Sequence, residues 1–396
     1  MRIALIADVF PPLRSSGAVQ LRDLSAEFFN QGHEVTVMVA SPELKTDWQI
    51  ETWNGVQIVR LKTPQTKEIG YVRRTVGELL MPFWMLRNLR KSPIGSATWD
   101  GIVWYSPTIF LGPIALALKK ASNCRSYLVV RDIFPEWAVD MGLMGSGLPY
   151  RCFKIIANYQ YSVADVIGVQ TGGNLVYFEN WLERPGRRAE VLQNWLNDGP
   201  SKGCSISISN TKLAGRKMFV YAGNMGIAQG MAILLDLADR LKHRIDIGFL
   251  FVGRGSDSKR LRDDAAARSL DNVEFFEEID PDEIPGLYSM CHVGLVALDP
   301  RHKTHNIPGK FLSYMLAGLP VLASINAGND LTELVSKERV GRVCTDASAD
   351  MLAIAALALV DDLEKDAAFS SRCQSLASRL FSPSTAASQI VNALRN

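Results

Sequence analysis

The stretch KTHNIPGKFLSYMLAGLPVLAS, residues 303–324, sets one lysine where an anion would be welcome. Pro308 and Gly309 stop the preceding segment. Phe311, Leu312, Met315 and Leu316 then recur at helical spacing, and Gly318 and Pro320 close the run before the apolar Val321-Leu322-Ala323. Lys310 therefore falls at a helix N-terminus, where free N–H groups carry partial positive charge and disfavour a second cation unless an anion is near. The chemistry this suits is a phosphate shared between Lys310 and the helix N–H groups. The alternative is a solvated surface lysine. His305 and Asn306 precede Lys310 in the same loop, and Ser313 follows on the helix.

Further segments offer chemistry of the same kind. After the first apolar run comes FPPLRSSGAVQ, in which Ser16 and Gly17 open a helix with small residues that let backbone N–H groups approach an anion. The spacing is looser than G-x-G-x-x-G, and Val39-Ala40-Ser41 stands where a dinucleotide fold would carry a ribose-binding acid. A parallel segment, FVYAGNMGIAQG, places Asn224, Gly226 and Gln229 after a strand, and FLFVGRGSDS places Arg254 in another strand-to-helix turn, as a phosphate donor or a plain surface residue. RDIFPEW puts Asp132 at a strand's end, to bind a sugar hydroxyl or to cap a helix. The stretch 71–91 mixes Arg73, Arg74 and Arg87 with Phe83 and Trp84; basic flanks around an aromatic centre suit a membrane interface, the alternative being a buried helix with a solvated end. Five scattered histidines and six dispersed cysteines without a CxxC pair give no metal or redox motif.

These residues need a scaffold. The chain has 396 residues, enough for two domains of about 150–200 each. With 47% hydrophobic and 21% charged residues it is globular. Net charge is only +2, and residues 1–195 hold 21 Lys and Arg against 17 Asp and Glu, too weak a bias for a nucleic-acid binder. MRIALIADVF reads as a first strand rather than a signal peptide, no apolar run reaches membrane-spanning length, and dispersed thiols fit a reducing compartment. Short β-rich runs alternate with helical ones: 2–8, 34–40, 56–61, 101–105, 126–131, 164–170 and 190–192, then 218–222, 247–252, 273–276, 292–298, 321–324 and 340–344. Alternation of this kind predicts parallel sheets covered on both faces. The expected plan is α/β, two Rossmann-like doubly wound domains with an interdomain cleft: 1–197, a polar linker at 198–212, 213–380, and a final helix over 381–396.

In order and spacing, PP…SSGAVQ, NQGHEVTVMVA, ADVIGVQTGG, VLQNWLND, FVYAGNMGIAQG, FVGRG and IPGKFLSYMLAGLPV resemble the retaining GT-B glycosyltransferases that include bacterial O-antigen and capsule sugar transferases, with a particular likeness to those handling N-acetyl-fucosamine-type sugars. The resemblance spans nearly the whole chain. It implies that the first domain receives an acceptor, that the second holds a UDP-sugar, that the final helix over 381–396 packs back on the first domain, and that basic side chains and helix N-termini hold the diphosphate with no metal or other cofactor. It further implies a polyprenyl-diphosphate-linked saccharide as acceptor and a cytoplasmic protein peripheral to the inner face of the plasma membrane. On this pattern Lys310 and Arg254 balance the leaving diphosphate, Asp132 and His305 position acceptor and donor sugar, and Asn224 and Ser313 contact phosphate or ribose.

Two departures stand out. The family often carries a glutamate pair where this chain has His305 and Ser313, and an Arg and a Lys where it has Asn224 and Gln229. Serine cannot give a carboxylate's two-oxygen grip. The alternatives are a UDP-sugar epimerase of the same fold, a non-catalytic donor-binding subunit of a transferase pair, and a nicotinamide oxidoreductase.

Overall fold

Two α/β units share the chain in the computed structural model, which describes residues 1–13, 15–67, 69–199, 202–226, 229–299 and 307–396. Met1–Leu196 and Ser382–Asn396 form the first unit and Asn197–Phe381 the second. Each is built round its own sheet.

The first sheet has strands β1 (Arg2–Ala7), β2 (Glu34–Ala40), β3 (Trp48–Trp53), β4 (Val56–Leu61), β5 (Gly101–Ser106), β6 (Arg125–Val130), β7 (Val166–Val169) and β8 (Arg188–Val191). Their order is β3-β4-β2-β1-β5-β6-β7-β8, parallel except for the β3–β4 hairpin. β3 is absent from the sequence reading. Its signal is the Asn54-Gly55 pair, both at positive φ, the turn a two-residue hairpin requires. The central strands are buried on both faces, and alternate residues feed two cores. Ile3, Leu5, Val37 and Val103 face α1 (Ser16–Asn30) and α14 (Pro383–Arg395). Ala4, Ile6, Met38 and Trp104 face α2 (Tyr71–Arg90), α3 (Gly112–Ser122) and α5 (Leu148–Val163). The short helices α4 (Glu136–Asp140) and α6 (Glu179–Leu182) flank α5 in the chain. The last helix thus returns after the whole second unit to complete the first: Ala387 and Ile390 are fully buried against its core, and Leu394 packs on Gly101.

The second sheet is wholly parallel: β9 (Lys217–Ala222), β10 (Ile247–Val252), β11 (Val273–Phe276), β12 (Val293–Ala297), β13 (Val321–Ser324) and β14 (Gly341–Cys344), in the order β11-β10-β9-β12-β13-β14. This is the doubly wound order in which the direction of winding reverses between the first and fourth strands. Its helices are α7 (Ala232–Arg240), α8 (Ser258–Ala267), α9 (Ile284–Ser289), α10 (Gly309–Leu316), α11 (Asp330–Glu338), α12 (Ala349–Lys365) and α13 (Phe369–Leu380).

The polar segment after residue 197 is not a free tether. Lys202 pairs with Asp282, the Ser205 N–H donates to Glu283, and Ile206, Ile208 and Leu213 are buried in the second unit. Serine and glycine content therefore misleads here, because three apolar residues spaced through the segment give it a surface to dock. Among the described residues no helix is long and apolar enough to cross a membrane.

Candidate functional site

The second unit concentrates its unusual backbone at the carboxyl ends of β9, β10 and β12. Gly223 and Gly253 adopt φ of +136° and +142°, and a Cβ on Gly253 would stand 2.1 Å from the Gly223 carbonyl oxygen. No side chain fits there. The two loops are then stitched together: the Met225 N–H donates to Arg254 O at 2.8 Å, and the Asp257 N–H to Met225 O at 3.0 Å. Gly255 lies as tightly on the Met225 backbone, and Gly230 packs on the backbone of Asp299 after β12. The spacing of these glycines answers to loop-on-loop contact, which is why it does not spell a dinucleotide fingerprint.

Lys310 lies in the first turn of α10, beside this knot at the point where the winding reverses. Its Nζ is 4.6 Å from the centroid of the Tyr221 ring, and its Cε is 3.9 Å from where a Cβ on Gly223 would be. Tyr221 is itself fixed, its hydroxyl donating to Asn224 O at 2.7 Å. Lys310 is half-buried and has no carboxylate partner among the described residues. Desolvation pushes its pKa down from 10.5 to about 8. A desolvated cation held on an aromatic face at a helix N-terminus is relieved by an anion.

The remaining residues singled out in this unit fall as follows. Asn224 is exposed at the tip of the β9 loop, and Gly226 accepts from the Gln229 N–H at 3.0 Å within it. Ser313 lies one turn beyond Lys310 on the same helix, its Oγ turned back to Gly309 O at 3.4 Å. Arg254 differs from its expected role as a second cation. Its guanidinium pairs with Glu278 at 2.8 Å and both side chains are largely exposed, so only its backbone belongs to the knot. His305 and Asn306 lie outside the described residues.

The first unit has a corresponding edge. Ser15, not Ser16, caps α1, accepting from the Ala18 N–H, and Gly17 lets the first turn lie against Tyr105, whose ring carbon would be 3.3 Å from a Cβ there. The Tyr105 hydroxyl donates to Gln20 at 2.7 Å. Arg131 is buried, stacked 4.5 Å from the Trp195 ring and donating to Leu192 O at 2.8 Å. Burial works against its charge. The neighbouring Asp132 is exposed, and the N-cap of the following helix is Pro135, so capping is not its role.

Two residues that sequence reasoning missed stand at this edge. β1 and β5 pair Ile6 with Trp104, and two residues further along each chain come Asp8 and Ser106. Asp8 Oδ1 and Ser106 Oγ are both buried without a hydrogen-bond partner among the described residues. Burial raises the Asp8 pKa, opposed by the charge of Lys67, with Glu78 raising and Arg74 lowering it further. An unsatisfied buried polar atom costs about 1–3 kcal/mol, so two such atoms just beyond the last paired residues of β1 and β5, where a doubly wound sheet reverses, point to a ligand-facing edge. The only sequence signal was an acid directly after an apolar strand.

The basic-aromatic segment forms α2. Met81, Met85 and Leu89 face the core, yet Tyr71, Val72, Val76, Leu79, Leu80 and Phe83 stay exposed, Tyr71 by 88% and Phe83 by 58%. Arg74 pairs with Glu78, Arg87 lies over the Trp84 ring at 5.3 Å, and Arg73 is exposed. Among the described residues no group of three His, Cys, Asp or Glu could hold a metal ion.

Comparison with known proteins meets this geometry at the same place. Residues 216–362, which carry the knot and Lys310, match the family described as Glycosyl transferases group 1. The chain is a glycosyltransferase. It is 25% identical over 339 residues to the putative colanic acid biosynthesis glycosyl transferase WcaI of Escherichia coli K12, covering 77% of this chain and 78% of that one. It is 26% identical over 298 residues to the probable glycosyltransferase WbjE of Pseudomonas aeruginosa, covering 72% and 71%. In fold, this glycosyltransferase superposes on Anabaena HepE, solved in complex with UDP, with a TM-score of 0.69 over the full length of both chains at 16% identity. Two Rossmann-like domains of the GT-B type are thus its architecture.

Proposed function

We propose that this glycosyltransferase is retaining and metal-independent. It moves an N-acetylated deoxy sugar of the N-acetyl-fucosamine type from a UDP donor to a lipid-linked saccharide during bacterial O-antigen or capsule synthesis. The observation that carries the reading is Lys310, a desolvated cation with no carboxylate partner among the described residues, at a helix N-terminus where the second sheet reverses its winding. The second unit takes the nucleotide sugar, with backbone N–H groups of the β9 loop, Asn224, Gln229 and Ser313 around it. The UDP bound to HepE supports the donor class, and the colanic acid biosynthesis in the name of WcaI supports the polysaccharide setting.

Chemically, the bond between C1 and the diphosphate oxygen breaks as negative charge grows on the phosphate, and Lys310 with the helix N–H groups stabilises it. The acceptor oxygen bonds to C1 on the face the phosphate leaves, and its proton passes to the departing phosphate oxygen. The first unit presents that acceptor through Asp8, Ser106 and Asp132. The α2 surface, with Arg73, Arg74, Phe83, Trp84 and Arg87, meets the membrane that holds the lipid, from the cytoplasmic side.

A panel of UDP- and GDP-sugars, each with a lipid-linked acceptor, tests this directly. A UDP-sugar should be consumed, EDTA should change nothing, and the anomeric configuration read by NMR should match the donor's. Inversion, or activity lost in EDTA, would sink the mechanism. Epimerisation of the donor alone would replace it.

A further inference from the structure

The proposed membrane surface at α2 is part of a larger one. α2, α3 and α5 lie side by side over one face of the first sheet, α3 touching both neighbours, with their inner sides in one core. α5 buries Ala157, Gln160 and Tyr161. Its outer side carries Leu148, Cys152, Ile155 and Tyr159, at the i, i+4, i+7 and i+11 positions of one helical stripe, with Leu148 exposed by 75% and Ile155 by 68%. A second helix thus repeats what α2 does, apolar towards the core and apolar towards solvent. Scattered exposed apolar residues need no explanation, but two parallel stripes in one layer do.

Charge says what covers them. α2 carries Arg73, Arg74, Arg87 and Arg90 against Glu78 alone. α3 adds Lys119 and Lys120, and α5 adds Arg151 and Lys154; of these Lys119 pairs with Asp165 and Lys154 with Glu136, which leaves Lys120 and Arg151 with Arg73, Arg87 and Arg90 as the basic excess. The layer on the opposite face is balanced: α1 and α14 together hold Arg22 and Arg395 against Asp23 and Glu27. Among these helices the basic excess lies wholly on the side that has the exposed apolar stripes. Apolar side chains set among cations match an anionic lipid surface, where the stripe enters the headgroup boundary and the cations meet lipid phosphates.

We infer that the whole α2–α3–α5 layer lies against an anionic bilayer, with the Leu148–Ile155–Tyr159 stripe of α5 as a second apolar anchor. This rests on the membrane reading of α2 and extends it to a helix with no such cue in the sequence reading. Laid on its helix layer rather than held by one helix, the first unit keeps a fixed attitude to the membrane. The charges of Arg74 and Glu78 on α2 act on the Asp8 carboxyl, so the N-terminal end of α2 lies near that edge of the sheet.

The test is co-sedimentation of the full chain with phosphatidylcholine vesicles, with and without 30% phosphatidylglycerol (roughly the anionic share that makes surface charge count). Three proteins are compared: wild type, an α2 variant (Phe83→Ser with Trp84→Ser) and an α5 variant (Leu148→Ser with Ile155→Ser). The altered residues are exposed, so circular dichroism and UDP affinity should be unchanged. Wild type should bind the anionic vesicles and release in high salt. Each variant should bind at least about tenfold more weakly, since it loses two large apolar side chains from the interface. Wild type that ignores both vesicle types overturns the membrane reading itself. Wild type that binds, with only the α2 variant impaired, overturns the α5 anchor alone. Equal binding to neutral vesicles removes the charge argument. Should the α5 variant instead change the chain's mass in light scattering, the stripe is a contact between copies and the proposal fails.

Discussion

At the scale of single residues, Lys310 combines three features whose physics conflicts until an anion arrives: desolvation, an aromatic face and a helix N-terminus. Replacing it with alanine should cut turnover by roughly 10²–10³, the scale for one lost charge contact in the transition state. Unchanged turnover in a donor-consumption assay would remove it from the mechanism. Its titration gives a second check. Because the folded pKa is depressed to about 8, the free protein's lysine loses its proton as pH rises through 8, and UDP affinity should fall over that range. The stability sign is opposite: between about 8 and 10.5 the unfolded chain holds the extra proton, so this group's contribution to stability rises with pH in that window. Calorimetric UDP binding at pH 7 and 9 separates the two effects, and an affinity flat across that interval would deny the lysine a charge role. Asp8→Asn should weaken acceptor use, read as a raised KM, while leaving UDP affinity as it was. A loss confined to UDP binding would contradict its assignment to the acceptor.

Among elements, the β9 and β10 loops act as one piece because glycine at 223 and 253 lets two backbones touch. Gly253→Ala must displace a carbonyl 2.1 Å from the new Cβ and hold φ near +142°, at a cost of about 1–3 kcal/mol. The melting temperature should fall and UDP should bind less tightly, because the Met225–Arg254 bond that sets the loop goes with it. A variant that melts like wild type would mean the loops can part freely. α2 obeys a different logic. Its inner side was legible from Met81, Met85 and Leu89, but whether its outer apolar residues were covered depended on what the rest of the chain laid over them.

On the scale of the whole molecule, the chain builds most of the first unit, then the second, and returns for α14. Ile390 is fully buried in the first unit's core, and truncating such a side chain costs about 2–5 kcal/mol. Ile390→Ala should therefore lower the transition of the first unit while the UDP-stabilised transition of the second stays in place, since ligand stabilises only what binds it. Two transitions moving together in calorimetry would show that the units melt as one.

Both α/β units, apart from β3, and a helix over the last residues were legible in the sequence, whereas the packing of that helix on the first unit is a long-range contact. Strand–helix alternation, apolar periodicity and Pro-Gly punctuation are local, and each element signals itself within a dozen residues. The sequence by itself also pointed to Lys310, because a lysine just past Pro-Gly at a helix start is a local oddity. The sequence could not separate Arg254 from Lys310, since a cation's partner is chosen by distance in space: Glu278 lies on another loop and takes the arginine, whereas the lysine lies over the Tyr221 ring. Nor could it find Asp8 and Ser106, nearly a hundred positions apart, which parallel pairing of β1 with β5 brings to the same end of the sheet. Contacts within a helix or strand are written in spacing, whereas burial, pairing and the absence of a partner exist only once distant segments have packed.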